Sequence, residues 1–325
     1  KSMEINAILK EIKSDPDSPA SQRLSKLLLE EDLKTTTTST TTTSNKDETN
    51  KLINRKVNQF CKKVQQAIDV VSRSILLYPS RDTTSKSTTS TSSTSTSSTK
   101  RQRIALSFNG GKDCTVVLHL LLAALSEHSN STSTATQLMD CILPFYFSTD
   151  DVFAEELDFV QSTATHFFNG EKSLLTMKDV SNEEGVTTLV EQYGIKAFLM
   201  GTRSTDPDGR WLNGVFWPSS KGWAPFMRIN PCLDWSYSDI WIFLRLFDID
   251  YCSLYDVGYT SIGTKSTSNP NPLLKKKGGG VGNKDGKDGK DGGGEKSSSN
   301  EYHPAYMLID GEQERAGRIK KKKKV

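Results

Sequence analysis

The stretch Ile104-Ala105-Leu106-Ser107-Phe108-Asn109-Gly110-Gly111-Lys112-Asp113-Cys114 decides the fold. A short apolar run stops at two adjacent glycines, a charged corner follows, and a second apolar run begins at once over residues 116–125. That order predicts a strand, a tight glycine turn and a helix. Gly110 and Gly111 carry no Cβ, so backbone N–H groups there approach an anion closely. The start of the predicted helix adds a partial positive charge and Lys112 a full one, which makes the corner a phosphate cradle. Asp113, in the first helical turn, has two readings: a ligand for a magnesium ion, or a carboxylate that favours the helix start.

Spacing excludes two common cradles. A Walker A loop needs four residues between its glycines and Lys-Ser/Thr after the second. A dinucleotide fingerprint needs spaced glycines and a third one. The run from Ser107 to Asp113 resembles instead the pyrophosphate-binding loop of the adenine-nucleotide α-hydrolases. In that group the loop grips the β and γ phosphates of ATP, and reaction occurs at the α phosphorus.

Composition divides the chain of 325 residues. Residues 35–44 and 83–99 are serine and threonine apart from Lys86, residues 126–136 are mostly small and polar, and residues 265–300 run into Lys-Gly and Lys-Asp-Gly repeats. Such tracts bury too little apolar area to offset their ordering entropy. Without them roughly 230 residues remain, enough for one α/β domain with a helical appendage. The expected organisation is therefore N-terminal helices with disordered tracts over 1–100, a ligand-binding α/β domain over 101–264, a disordered insertion over 265–300 and a C-terminal segment over 301–325.

Charge is balanced, 42 basic against 39 acidic residues, which argues against a nucleic-acid partner. The lysine run 320–324 reads as a solvated tail. Five cysteines, none in a C-x-x-C pair, give no metal ribbon or redox motif. Their odd number and the absence of an apolar signal-like run predict a reducing, cytoplasmic setting. The longest apolar run, 116–125, is too short to span a membrane.

Val57, Phe60, Val64, Ile68, Val71 and Ile75 recur at helical spacing and predict one amphipathic helix. Downstream, strands are expected at 141–147 (with Pro144 an irregularity), 174–177 and 195–200, and helices at 153–168 and 183–193. Alternation of this kind predicts a doubly wound, mostly parallel sheet covered on both faces. Ligands of such sheets bind beyond the carboxyl ends of the strands. Three polar clusters, 107–113, 148–151 and 201–207, are thus expected to converge on one edge.

Gly201-Thr202-Arg203-Ser204-Thr205-Asp206-Pro207 is dense in chemistry. The glycine permits close backbone approach, and Arg203 offers a fork of donors for phosphate oxygens. Asp206 precedes proline and is expected to be extended, its carboxylate aimed away from any helix. The simpler reading is a polar cap with an internal Arg–Asp pair. Residues 223–231 place Trp223, Phe226 and Arg228 in an expected loop suited to a flat, phosphorylated ligand. Their simpler reading is core and lid. Ser236 and Asp239 have capping-box spacing, while Asp234 lies before the cap. Arg315 and Arg318 stand three apart, so on a helical turn they face one way and repel unless an anion sits between them; the simpler reading is solvent exposure beside the lysine tail.

Taken in order, six pieces resemble the eukaryotic FAD synthetase (FMN adenylyltransferase) family of the phosphoadenylylsulfate reductase-like group. They are the loop 107–113, the Gly-x-Arg-x-x-Asp-Pro run 201–207, residues 223–231, 234–237 and 255–263, and the Glu-Arg-Ala-Gly-Arg run 314–318. The Asn-Pro repeat at 269–272 also resembles the family. The low-complexity tracts do not.

The resemblance implies transfer of AMP from ATP to the 5′-phosphate of FMN, giving FAD and pyrophosphate. It implies a nucleotide site of Ser107, Phe108, Asn109, Gly110, Gly111, Lys112, Asp113, Thr149, Gly201 and Thr202. Asn109 and Asp113 would hold magnesium, and Lys112 would neutralise the departing pyrophosphate. Asp206, Trp223, Arg228, Asp234, Arg315 and Arg318 would contact FMN. Asn109, Lys112, Asp113, Arg203, Asp206, Arg315 and Arg318 would serve the reaction itself. Small-molecule substrates, no nucleic acid, no membrane and a monomer are expected. A sulfonucleotide reductase would need a nucleophilic cysteine near its C-terminus, whereas the last cysteine here is Cys252. A sulfate adenylyltransferase and a non-catalytic nucleotide-binding protein are the other rivals. Intact Lys112, Asp113, Arg203 and Asp206 argue against the last.

Overall fold

The helix predicted from the 57–75 stripe is the long α3 (Lys46–Leu77), preceded by α1 (Glu4–Ser14) and α2 (Pro19–Thr35). Val57, Phe60, Val64, Ile68 and Val71 are buried, so the stripe is core and not a free docking face. The computed structural model describes residues 4–35, 46–85, 97–127, 140–276 and 301–319. Most of each Ser/Thr tract, the run 277–300 and the lysine tail lie outside the described residues. The ends of the second tract form a ribbon, β1 (Arg81–Ser85) paired antiparallel with β2 (Ser97–Arg101).

The decisive stretch folds as its pattern predicts. Ile104–Ser107 is β3, and Lys112–Glu127 is α4. α4 is buried almost all round, because the sheet lies on one side and α1 and α3 on the other. The chain continues through β4 (Ile142–Ser148), α5 (Ala154–Phe167), β5 (Leu175–Lys178), α6 (Asn182–Glu191) and β6 (Ala197–Leu199). Two further strands, β7 (Phe216–Pro218) and β8 (Met227–Ile229), precede α7 (Tyr237–Leu246).

These strands form one six-stranded sheet in the order β5-β4-β3-β6-β8-β7, parallel except for the last pair. Strand order reverses between β3 and β6, which is where an open parallel sheet binds its ligand. Side chains alternate across it. Ile104 and Leu106 join the large core that includes α3, α4 and α7, whereas Ala105, Phe145 and Phe198 pack with Val186, Leu189 and Val190 of α6 on the opposite face. Pro144 sits inside β4 opposite Leu106. β5 joins only from Phe145 onward, so the missing N–H falls where β4 has a single neighbour. The Ser236–Asp239 capping box forms as its spacing predicts, and Lys63 of α3 pairs with the same Asp239 carboxylate at 2.7 Å.

Two expectations are corrected. Residues 223–231 are not one loop, because 227–229 pair with β6 and with β7. Three-residue strands give too short a period to read from sequence. The boundary at 265 is also misplaced. Residues 265–276 are ordered and interlaced with the C-terminal segment: Asn269 N–H donates to Gly317 O at 2.9 Å, His303 N–H to Leu274 O at 2.8 Å and Ile319 N–H to Thr267 O at 2.9 Å. Asn271 holds the unit together; its amide donates to Thr260 Oγ1 and Gln313 O, both at 2.9 Å. Composition averaged over 265–300 hid this polar but fully bonded stretch. Among the described residues no helix is long and apolar enough to cross a membrane.

Ile68 is wholly buried on α3. Ile68→Ala is expected to cost about 2–5 kcal/mol, read as a lowered urea midpoint. An unchanged midpoint would show that the N-terminal helices are not part of the folding unit.

Candidate active site

Gly110 has φ +74°, the left-handed region that glycine enters without strain, and a Cβ there would meet Val160 at 3.0 Å. The turn it makes delivers Gly111 to the start of α4. Asn109 Oδ1 accepts from the Gly111 N–H at 3.2 Å, and the Tyr255 hydroxyl accepts from the Lys112 N–H at 2.9 Å. The second strand end closes against this corner. A Cβ on Gly201 would meet the Asp113 backbone carbon at 2.8 Å, so the close approach expected of this glycine is realised between two segments of the chain itself.

Four charges lie below the corner. Lys112 Nζ donates to Asp113 Oδ2 at 2.9 Å and to Glu314 Oε1 at 2.6 Å. Arg203 donates through Nη2 to Glu314 Oε2 at 2.5 Å, and its Nε lies 2.9 Å from Asp113 Oδ1. The side chains of Lys112 and Arg203 are only 2% and 1% exposed. Burial opposes the charge on Lys112, but the Asp113 and Glu314 carboxylates outweigh it and raise its pKa. Burial likewise works against ionised Asp113, and Lys112 and Arg203 overcome it, holding the carboxyl below its ordinary value. Both cations are thus committed within the cluster. Lys112 Nζ, the group expected to neutralise departing pyrophosphate, is bonded to Asp113 and Glu314 in the wall of the first cavity.

Asp206 is not held extended before its proline but sits in a turn with Arg203. Its Oδ2 accepts from the Arg203 N–H at 2.8 Å, and its own N–H donates to Arg203 O at 3.0 Å. A local turn overrides the extended preference before proline. Burial raises its pKa, opposed by the bond from the Arg203 amide. This geometry orients Arg203.

Three cavities meet at Asn109. The first, about 350 Å³, is bordered by Ser107, Asp113, Gly201, Thr202, Asp206 and Arg315, with Lys112 and Glu314 in its wall. A second, about 690 Å³, is bounded by Phe145, Phe147, Trp211, Trp217, Trp223, Phe226 and Arg228. Trp223 packs edge-on to Phe226, and Arg228, held by Pro218 O at 2.6 Å, lies over the Phe226 ring. The third, about 390 Å³, is lined by Asn109, Tyr146, Thr149, Glu156 and Arg318.

The expected convergence of three clusters is therefore met by two directly, 107–113 and 201–207. The third joins through Asn109 and Thr149. Two expected contacts are corrected. Phe108 is buried against Phe168, and its N–H donates to Phe145 O at 3.0 Å, so neither side chain nor amide is available to a nucleotide. Asp234 is exposed in the turn before α7 and borders none of these cavities. Arg315 and Arg318 are not on one helical face. Residues 314–317 form turns that send Glu314 inward, leaving Arg315 at the first cavity and Arg318 at the third.

Sequence reading gave no role to Glu314, Tyr255, Glu156, Trp211 or Trp217. Glu314 was visible in its motif, but nothing local signals a partner 202 residues away. Glu156 lies in an ordinary acidic first helical turn.

Removing Glu314 strips both buried cations of a carboxylate. Glu314→Ala is expected to destabilise the protein by about 3–5 kcal/mol, measured by denaturant unfolding; wild-type stability would refute the role given to the cluster. Burial lifts Glu156 to about 7 from 4.5. A carboxyl raised in the folded state favours folding below its ordinary value, and that contribution is lost as pH rises through 7. Between about pH 5 and 8, Glu156→Gln should flatten the fall in stability by roughly 2–3 kcal/mol. An identical pH slope in the variant would overturn that assignment.

Comparison with known proteins agrees with this architecture. The family profile of the phosphoadenosine phosphosulfate reductase domain matches residues 103–270. A probable FAD synthase of Schizosaccharomyces pombe is 41% identical over 220 residues, covering 67% of this chain and 72% of the relative. A probable FAD synthase of Caenorhabditis briggsae is 34% identical over 220 residues, of which the chain spans 36% of the relative's length. The crystal structure of Candida glabrata FMN adenylyltransferase in complex with ATP superposes with a TM-score of 0.60 at 22% identity, covering 93% of this chain and 97% of that one. The profile match over residues 103–270 and a relative 41% identical and covered over 72% of its length lead to one assignment: the chain belongs to the FAD synthase family, built on the phosphoadenosine phosphosulfate reductase domain.

Proposed function

We propose that this protein is an FMN adenylyltransferase, which joins the AMP part of ATP to the 5′-phosphate of FMN. One observation carries the reading. A polar cavity backed by the charged cluster and a larger aromatic cavity share Ser107, Asn109, Met200 and Asp208 as a common border. A site that joins two phosphate-bearing substrates needs such a pair of adjoining compartments.

In this reading the phosphates of ATP lie against the glycine corner and the start of α4, and the flavin ring lies among Trp217, Trp223 and Phe226. An oxygen of the FMN phosphate attacks the α phosphorus in line. The new P–O bond forms there as the bond to the β-phosphate oxygen breaks, and pyrophosphate leaves with that electron pair. The attacking phosphate is already anionic at neutral pH, so no base is required. Catalysis is positioning and charge stabilisation. Arg315 at the first cavity and Arg318 at the third are the cations that reach the phosphates. Lys112, Asp113, Arg203 and Asp206 keep the loop and the second strand end in register beneath them.

Asp113 and Asn109 fit a magnesium ion that arrives with the nucleotide. Asp113 Oδ1 lies beside Arg203 Nε at 2.9 Å but has no aligned hydrogen-bond donor among the described residues, and magnesium is commonly held by one or two carboxylates together with substrate phosphates. Such an ion would neutralise phosphate charge. Five free cysteines support a reducing, cytoplasmic setting.

Incubation with ATP, magnesium and FMN should yield FAD and pyrophosphate, and sulfate should not replace FMN. No FAD by chromatography from folded protein would defeat the proposal. Trp223→Ala should raise the KM for FMN about tenfold and leave that for ATP near wild type; the reverse pattern would exchange the two compartments.

A further inference from the structure

The third cavity has an unexplained group in its wall. Glu156, on the first turn of α5, lines it and is 7% exposed. The Tyr146 hydroxyl faces the carboxyl closely enough to act on it, yet among the described residues Oε2 has no hydrogen-bond partner. A buried carboxyl oxygen left unpaired costs free energy unless a donor reaches it. The charge of Arg318, across the same cavity, acts on the carboxyl as well.

Position narrows what that donor is. Asn109 borders all three cavities, so the third opens on the phosphate corner. The Glu156 carbonyl oxygen lies 3.5 Å from where a Gly110 Cβ would be, directly behind the loop. An ionised phosphate brings that oxygen no donor, whereas a hydroxyl donates to one. The part of ATP that carries hydroxyls next to its phosphates is the ribose. Thr149 and Thr267 line the same cavity and add hydroxyls suited to a polyol.

We infer that Glu156 is a specificity-determining residue, its carboxyl accepting a hydrogen bond from the ribose hydroxyls of ATP in the third cavity. The inference rests on the adenylyltransferase reading. It places the nucleoside on the α5 side of the sheet and the flavin on the α6 side. It also makes the enzyme selective for ribonucleoside over deoxyribonucleoside triphosphates, because a carboxyl built to receive a hydroxyl is left unpaired by an analogue lacking one.

Calorimetric titration with the non-hydrolysable analogue AMPCPP and its 2′-deoxy and 3′-deoxy counterparts tests this without turnover. Wild type should bind at least one deoxy compound about tenfold more weakly, and Glu156→Ala should bind AMPCPP about tenfold more weakly while no longer distinguishing the three. Glu156→Gln, which keeps an acceptor oxygen, should recover part of the loss; should the alanine variant fail to fold, loss of discrimination in the glutamine variant relative to wild type stands in for it. The KM for FMN should not move. Discrimination undiminished in both variants, or a change confined to FMN, would overturn the inference. A wild type that binds these nucleotides but makes no FAD would defeat the activity and leave the binding comparison intact.

Discussion

Lys112 cannot remain charged at 2% exposure unless carboxylates reach it, and the second of the two that do so belongs to Glu314, 202 residues further along the chain. Glu314 also receives Arg203, and Arg203 lies against Asp113. One carboxylate from the C-terminal segment thereby ties the loop after β3 to the loop after β6. Those are the two strand ends that flank the reversal of strand order. Everything placed over that crevice depends on this closure, since two buried cations lose half of their compensation if the segment lifts.

The closure has its own scaffold. Thr260 donates to the Glu314 carbonyl at 2.6 Å, Asn271 donates to Thr260, and Tyr237 donates to Ala305 O at 2.9 Å. The stretch before the Gly/Lys/Asp-rich run is consequently not a linker but the frame that aims Glu314 inward. The same frame separates Arg315 from Arg318 and assigns them to neighbouring cavities. It leaves a corner whose buried charges balance, with the start of α4 and these two outer arginines as the positive groups at the cavities.

Local pattern made much of this legible. The apolar run before Gly110 and Gly111, and the one after, gave β3, the turn and α4, because a strand, a glycine turn and a helix each leave a short-range signature. The 57–75 stripe gave α3, and Ser236 with Asp239 gave the start of α7, for the same reason. β7 and β8 were not legible. At three residues each they show no period, and their place depends on the edge that β6 offers. Phe108 and Asp234 were misread because a motif identifies a neighbourhood and does not say which side chains within it face the ligand.

The sequence alone determined the alternation of strands and helices, the phosphate-cradle corner and the family to which its motifs belong, since each is written in residues adjacent along the chain. Tertiary structure decided which charges neutralise one another, that Asp206 orients Arg203, and that Asn109 stands where three cavities meet. It also decided that the corner of Gly110 and Gly111 is held shut from below by Glu314. Those facts depend on distances between residues far apart in sequence, and such distances exist only once the sheet has ordered its strands and the C-terminal segment has folded back across them.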